Sequence, residues 1–458
     1  MKRNKLLYLL GLLLFFGCED RLEIDPWQSK DDELVFTSVN TMENALTGAY
    51  DALQDDDTYG SNVVQSADLK SQFVRWTGSF TSYTEISGKN LTTSNAEARD
   101  LWIDGYDGIN RANRVIDAVD AGVDDPLFES VKDRIKGEAL FVRAILYFEL
   151  VRNFGLPYSE ENVGKPGVPL ILKGTLALSD ARELPTRNTI AEVYAQIIKD
   201  LKDAKGLLPA TPALEGRAFK STCDAFLVRI YMTMRNWNEV VTFADFVINS
   251  NLFALDKDPT STFGEAFTPE MIFGVIHTTT DNLGNTNAAL NDYYNPNERG
   301  DIFIPQSTLD LFPSGDKRLG WFFTQEEKVW VNKYMEAKYN TPVIRYAEIL
   351  LAKGEALLEL GAPVDDVLSF LNQIRDRAGL GVLIGLTSDQ VVDSLRLETL
   401  REFVAEGHSV YDLQRWKQEV GFSNDRAETV PWNDPSLVFP IPQRERDVNP
   451  NLEQNEGY

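Results

Sequence analysis

Residues 342–379, PVIRYAEILLAKGEALLELGAPVDDVLSFLNQIRDRAG, decide the fold, because their pattern predicts two helices joined by a tight turn. Apolar side chains recur at helical spacing, the first helix stops at Gly361, and Pro363 opens the second where proline is tolerated. Small residues such as Gly354 and Ala356 stand where two helices would approach closely. This length and alternation of small and large residues are typical of tetratricopeptide-type hairpins, which stack sideways over a shared core.

The same periodicity covers most of the chain from Asn40 onward. A second paired pattern occupies residues 221–253, with a turn at Asn236-Trp237-Asn238. Further helices are predicted over residues 41–54, 99–120, 134–155, 189–209 and 388–419, the last with a break at Gly407. The predicted fold class is therefore mostly α, with tetratricopeptide-like helix hairpins in an α-α superhelix.

Three stretches lack helical periodicity. Residues 56–95 are rich in Ser, Thr, Gly and Asn, residues 254–340 mix short apolar runs with Asn, Gly and Pro, and the proline-containing tail is predicted to be extended. We therefore expect an N-terminal helical region at 41–250, an irregular ligand-binding segment of loops and short strands at 251–340, and a C-terminal helical region with its tail at 341–458.

The N-terminus predicts export and lipid attachment. Basic residues precede the short apolar run Leu6–Phe16, and the stretch LFFGC ends at Cys18. The run is too short for the ~30 Å hydrocarbon core and is typical of a signal peptide, here residues 1–17. LFFGC resembles a bacterial lipobox, so Cys18 is the predicted lipidation site and residues 18–40 the tether. A plain signal peptide cut near Cys18 is the alternative.

Composition limits the class of protein and its partners. The 458-residue chain is 43% hydrophobic, which suits a globular protein, and its net charge is −25. Such acidity repels nucleic acid, and no Lys/Arg run offsets it, so we expect no nucleic-acid binding.

Several motifs together resemble the SusD/RagB family of Bacteroidetes-type bacteria. They are, in chain order, EALFVRAILYFELVRNFG, RYAEILLAKGEALLELG followed by LNQIRDRAGL, LREFVAEGHSVYDLQRW, and FPIPQRERDVNPNLEQN. The match spreads over essentially the whole mature chain.

The resemblance implies a surface-exposed, lipid-anchored protein of the cell outer membrane. Members have four tetratricopeptide-like hairpins and an irregular segment that carries the ligand surface. They bind oligosaccharides, or in some branches peptides, and act as the lid of a SusC-like TonB-dependent transporter. They have no catalysis of their own, and no cofactor or metal is implied.

Polar motif residues on the helices are expected to hold the scaffold rather than ligand, through buried ion pairs and hydrogen bonds between hairpins. They are Arg143, Tyr147, Arg152, Glu355, Arg375, Arg377, Glu406, Arg415 and Trp416.

Ligand contacts are expected from two loop segments that carry aromatic and polar residues. A sugar ring needs flat aromatic surfaces for its C–H face and polar side chains for its hydroxyls. One segment, residues 72–90, offers Arg75, Trp76, Tyr83 and Asn90; the other, residues 291–303, offers Tyr293, Tyr294, Asn295, Asn297 and Arg299; Trp321 and Trp330 follow. We expect at least two of the rings of Trp76, Tyr83, Tyr293, Tyr294 and Trp321 to face ligand.

Two other functions stay open from sequence. A structural lid without its own ligand site would be favoured if all these rings were buried. A glycoside hydrolase needs two carboxylates across the bond, and no segment points to such a pair. The two histidines, His277 and His408, lie in no catalytic motif, so no enzyme activity is predicted.

Overall fold

The computed structural model describes residues 36–175, 184–284 and 287–458. The predicted signal peptide, Cys18 and all but the end of the tether lie outside these ranges. The helices are α1 Val39–Gln54, α2 Asn62–Leu69, α3 Thr81–Gly88, α4 Ala96–Ala121, α5 Phe128–Phe154, α6 Ile190–Leu207, α7 Lys220–Thr233, α8 Trp237–Asn249, α9 Leu290–Tyr294, α10 Gln306–Leu309, α11 Tyr346–Glu359, α12 Val364–Arg377, α13 Ser388–Glu402, α14 Ser409–Arg415 and α15 Gln443–Val448.

The long helices pack in chain order, which confirms the predicted fold class. α1 packs on α4, and from α4 to α8 each helix packs on the next one. α8 then contacts α11 across the irregular segment, and α11, α12 and α13 continue the stack. None of the helices in the described ranges combines the length and apolar composition needed to cross a membrane.

α5 lies at the centre of the stack. From Ile135 to Phe154 nearly every side chain is buried, because neighbouring helices cover the helix on several sides. Gly137 permits one of these close approaches: a Cβ there would lie 2.9 Å from Leu208 Cγ. A helix that is apolar almost all round is a core helix, as its sequence indicates.

Short antiparallel strand pairs join the segments between the helices. The strands are β1 Arg75–Trp76, β2 Met271–Val275, β3 Ile302–Phe303, β4 Phe322–Gln325, β5 Lys328–Val331, β6 Thr341–Arg345, β7 Val420–Gly421 and β8 Thr429–Val430. β2 pairs with β6, β4 with β5, and β7 with β8. The β2–β6 pair brings residues 271–275 beside residues 341–345, which directly precede α11.

A buried charge network ties the irregular segment to the C-terminal hairpins. Glu402 accepts from Arg345 Nη1 at 3.0 Å and is paired with Arg318 and Arg377. Burial alone would raise the pKa of Glu402, yet the surrounding guanidinium groups hold it well below its usual value. Removing one member would leave buried charges unpaired, which is strongly destabilising.

The polar motif residues are confirmed as scaffold. Each of them pairs or hydrogen-bonds within the fold: Arg143 with Asp200, Tyr147 with Ile171 O, Arg152 with Glu149, Glu355 with Arg415 and Trp416, Arg375 with Glu398, Arg377 with Glu402, and Glu406 with Arg345 and Lys333.

Five segments differ from the sequence prediction. Residues 62–69, 81–88, 290–294 and 306–309, expected as short strands and loops, form α2, α3, α9 and α10. Residues 443–448 form α15 inside the tail that was expected to be extended. All eight residues of α2 are buried, polar ones included. Asp68 shows why this is stable: its carboxylate accepts hydrogen bonds from Gly407 N at 3.0 Å and Tyr294 Oη at 2.6 Å.

Candidate functional site

The two predicted loop segments meet at one place. β1 and β3 pair antiparallel, with Arg75 opposite Phe303 and Trp76 opposite Ile302. Beyond the pair, Thr77 N donates to Asp301 O at 2.8 Å. Segments that are separated by more than two hundred residues in the chain therefore share one surface.

The rings of Trp76, Phe80, Tyr83 and Tyr293 form what we call the junction cluster. The ring centroids of Trp76 and Tyr83 are 5.3 Å apart, and those of Tyr83 and Tyr293 are 5.2 Å apart, edge to face. Trp76 Nε1 donates to Thr84 Oγ1 at 3.0 Å. Trp76, Tyr83 and Tyr293 are each buried, so the cluster is a small core rather than an open aromatic platform.

Phe80 and Arg299 form the exposed edge of the junction cluster. The Phe80 ring is 37% exposed, and the guanidinium carbon of Arg299 lies 4.2 Å from its centroid. Asp301 accepts from Arg299 Nε at 2.8 Å and so fixes the guanidinium group. The side chain of Asn297 is exposed nearby in the chain. A ring edge, a guanidinium and an amide can together contact the apolar face and hydroxyls of a polar ligand.

The expected exposure of the candidate rings is not found. Trp76, Tyr83, Tyr293, Tyr294 and Trp321 are all less than a tenth exposed, and Tyr294 and Trp321 are fully buried. Trp321 Nε1 donates to Pro259 O at 3.1 Å, and its ring centroid lies 3.8 Å from Lys333 Nζ. These rings are buried because they pack the irregular segments against one another and against the scaffold.

Two polar candidates make structural contacts. Arg75 Nη1 donates to three backbone carbonyls, among them Phe422 O at 3.2 Å. Asn295 is buried, and its Nδ2 donates to Met335 O at 3.1 Å. Trp330 is also buried, and its Nε1 donates to Gln325 O at 3.1 Å. Of the eight residues predicted to bind ligand, Arg299 is the one at the exposed edge, and ligand contact by these residues stays a prediction.

Phe80 is a residue that sequence reasoning did not single out. It precedes α3 as the N-cap residue, inside the predicted segment 72–90. Its exposure follows from the fold, since α3 begins at the junction. The one weak indication of exposure in the sequence is that Phe80 stands between the small polar residues Ser79 and Thr81.

Burial sets the charge state of the junction cluster. Burial and then the nearby Glu97 raise the pKa of Tyr83 and that of Tyr293 above the usual value. Burial also raises the pKa of Glu97, whose Oε1 accepts from Ser82 Oγ at 2.6 Å. The two phenols are therefore neutral near pH 7.

One set of three carboxylates is spaced closely enough for its members to bind the same cation. Ligand atoms of Asp55, Asp57 and Asp104 lie within 4.8 Å of one another. The sequence favours a solvated turn for Asp55-Asp56-Asp57, whereas the structure leaves all three acids half-buried. The group stands as a contact between α4 and the turn after α1.

Both histidines have structural surroundings. Gln54 Nε2 lies 3.3 Å from His277 Nδ1, and burial lowers the pKa of His277 to about 4. The His408 ring stacks on Phe403 at 4.4 Å between centroids. Burial, then the charge of Arg229, lowers the pKa of His408. Both imidazoles are therefore uncharged near pH 7.

Comparison with known proteins identifies the family to which this chain is similar. The family described as "Starch-binding associating with outer membrane" matches residues 22–232, and the "SusD family" matches residues 323–458. The chain belongs to the SusD/RagB family. Members of this family in Formosa agariphila include SusD-like protein P2, which is 26% identical over 100% of both chains. The starch-binding protein SusD of Bacteroides thetaiotaomicron is 30% identical over 26% of this chain and 21% of its own.

Solved structures show the same SusD fold. A SusD superfamily protein of Bacteroides thetaiotaomicron aligns with a TM-score of 0.83 at 23% identity, covering 92% of this chain and 100% of that one. A Bacteroides vulgatus protein described as a candidate sugar-binding protein also reaches 0.83, at 28% identity, covering 92% of this chain and 99% of its own.

Proposed function

We propose that this SusD/RagB protein binds a carbohydrate at the outer-membrane surface through the exposed edge of the junction cluster. The observation that carries the proposal is the β1–β3 pair, which brings Phe80 from one predicted segment beside Arg299 from the other. An aromatic edge with a fixed guanidinium suits a sugar ring and its hydroxyls. The starch-binding relative and the sugar-binding description of a structural neighbour support this ligand class.

Affinity electrophoresis of the full-length protein in detergent tests this proposal, with gels that contain soluble starch or other plant, host and microbial polysaccharides. Phe80→Ala and Arg299→Ala are each expected to weaken retention by about tenfold, because each removes one contact. Phe246→Ala is the matched control, since Phe246 is an exposed ring on α8, away from the junction. Unchanged retention in both junction variants would contradict the site, and competition by a peptide digest would indicate a peptide ligand instead.

Anchoring and delivery belong to the same proposal. Lipidation of Cys18 would hold the acidic body at the cell surface, since more than one acyl chain gives stable attachment. The ligand would then pass to a SusC-like TonB-dependent transporter beneath. Cys18→Ser should abolish palmitate labelling and release the protein from the membrane fraction, which tests the anchor. Co-purification of the unaltered protein with a barrel protein tests the partner.

A structural lid is the second candidate, favoured by the burial of all five candidate rings. In that case the transporter supplies every ligand contact. The lid predicts that Phe80→Ala and Arg299→Ala leave both nutrient uptake and co-purification with the barrel unchanged. Loss of uptake with co-purification retained would support the binding function.

A further inference from the structure

A second aromatic surface lies on the helical side of the molecule, apart from the junction cluster. We call it the helical groove: a cavity of 560 Å³ whose aromatic lining residues are Tyr158, Trp237 and Trp432. They come from the segment after α5, the start of α8, and the segment after β8. Its volume falls within the range of small-ligand sites. No residue lines both this groove and the junction cluster.

The rings of the helical groove are more exposed than Trp76, Tyr83 and Tyr293 of the junction cluster, although Tyr158 and Trp237 pack in part against the core. Tyr158, Trp237 and Trp432 are each half-buried. Tyr158 is backed by Tyr194, with centroids 4.8 Å apart. Among the described residues, no ring contact joins these three rings to one another. Each ring therefore keeps surface free for another molecule, and the cavity separates them.

Cations stand beside both indoles. The guanidinium carbon of Arg235 lies 5.6 Å from the Trp237 ring centroid, and Lys417 Nζ lies 5.0 Å from that of Trp432. Both basic residues follow helix ends, at α7 and α14, with φ of 56° and 54°. Glycine is the usual residue in this left-handed position. Here a basic side chain occupies that position at both helix ends that border the groove.

The lining of the helical groove carries charges of both signs. Glu160 and Glu161 are exposed on its rim, and Arg235 and Lys417 supply positive charge. Arg235 Nη2 lies 3.8 Å from Glu359 Oε2, and the guanidinium of Arg415 is paired with Glu355 and Asp412. A rim with both donors and acceptors and no dominant sign suits a neutral ligand rich in hydroxyls, rather than a uronate or a nucleotide.

We propose that the helical groove is a second carbohydrate site, which takes a neutral oligosaccharide against the indoles of Trp237 and Trp432. Aromatic faces would contact the C–H faces of the sugars, and the mixed rim would hold the hydroxyls. The inference rests on the proposed carbohydrate-binding function. Two sites on one surface protein would hold a long glycan by more than one of its segments, which raises avidity without new contacts at either site.

Fluorine NMR of the full-length protein in detergent, labelled with 5-fluorotryptophan, tests the site directly. The chain has eight tryptophans, and single Trp→Phe variants assign each signal. The probes are maltoheptaose, xylohexaose and, as an acidic counterpart, an oligogalacturonate. A neutral probe is expected to shift the signals of Trp237 and Trp432 in a saturable way, while the buried Trp102 does not move.

Variants separate binding in the groove from general effects. Trp432→Ala is expected to weaken the groove's affinity for the neutral probe by at least tenfold, and Phe246→Ala, the exposed ring on α8, to leave it unchanged. Trp237→Phe keeps a ring that can pack at the start of α8, and it should weaken binding by a smaller factor. A probe that binds equally well to Trp432→Ala overturns the proposal.

The other outcomes are also decisive. If a neutral probe binds and shifts only the fluorine signals of Trp76 or Trp330, the groove is not a carbohydrate site, and the proposed function of the protein is unaffected. Groove signals that respond only to the oligogalacturonate overturn the neutral class. No shift with any probe counts against both sites. If Trp432→Ala instead abolishes co-purification with the barrel and changes no saccharide binding, the groove is a protein interface.

Discussion

The junction cluster and the helical groove use the same residue types and place them differently. At the junction, Trp76, Tyr83 and Tyr293 pack ring on ring, and the surface is left to Phe80 and Arg299. In the groove, Trp237 and Trp432 stand apart around an open cavity. Aromatic content in a loop therefore does not indicate a binding face. What matters is whether other rings already occupy the ring faces.

The largest expected effect is a loss of folding stability when a ring of the junction cluster is removed. Trp76→Ala should lower the free energy of unfolding by about 3–5 kcal/mol, because it removes a buried ring and leaves a cavity. Urea unfolding followed by circular dichroism measures the change. A loss below about 1 kcal/mol, the scale of ordinary surface changes, would show that the junction rings are not the core described here.

Asp57, in the turn after α1, and Glu160, on the exposed rim of the groove, should differ in how they make stability depend on pH. Burial, then the charges of Asp56 and Asp100, raises the pKa of Asp57 to about 9. Its folded-state pKa exceeds the unfolded value of about 3.9, so its contribution to stability is complete below about pH 4 and is lost as the pH rises through about 9. Asp57→Asn should therefore stabilise the protein by about 1–2 kcal/mol at pH 9, a value reduced for partial exposure, and by little at pH 4.

Urea midpoints at the two pH values measure this difference. Glu160→Gln, on the exposed rim of the groove, is the matched control, and it should change stability by less than about 0.5 kcal/mol at either pH. An equal gain for Asp57→Asn at both pH values would mean that its carboxyl does not titrate as described.

A single hydroxyl in the junction cluster gives a smaller effect. Tyr293 Oη donates to Asn287 O at 2.7 Å. Tyr293→Phe keeps the ring and leaves that carbonyl without its donor, so we expect a loss of about 1 kcal/mol in the free energy of unfolding. Thermal unfolding, with Tyr158→Phe from the groove as control, checks this. Equal losses in both variants would remove the contrast between the regions.

The smallest stability effect is expected in the groove. Trp432→Ala should change the free energy of unfolding by less than about 0.5 kcal/mol, since the ring is half-exposed and outside the core clusters. The same urea series measures it. A loss as large as that of Trp76→Ala would show that the ring is structural, and that reduced binding by this variant reflects unfolding.

Sequence periodicity predicts the scaffold because it depends on local spacing. The hairpin at 342–379 appears as α11 and α12, and the turn near Asn236 separates α7 from α8. α2 is not predicted, because its polar residues are buried through bonds to distant partners such as Tyr294 and Gly407. Helical pattern gives no sign of such partners.

The site is predictable only in part, for the same reason. The residue types at 72–90 and 291–303 indicate two segments of interest, and β1 and β3 bring them together. Which rings are covered depends on packing between segments distant in the chain. The sequence does not predict the groove at all, because Tyr158, Trp237 and Trp432 are single aromatic residues in three separate segments.

The most direct test is equilibrium binding of the full-length protein to a broad glycan panel, with the Arg299→Ala/Trp432→Ala double variant alongside. The account predicts that at least one carbohydrate binds the unaltered protein and that the double variant, still folded, loses most of that affinity. If no glycan binds while the protein still co-purifies with a barrel transporter, carbohydrate binding is contradicted and the protein is a structural lid.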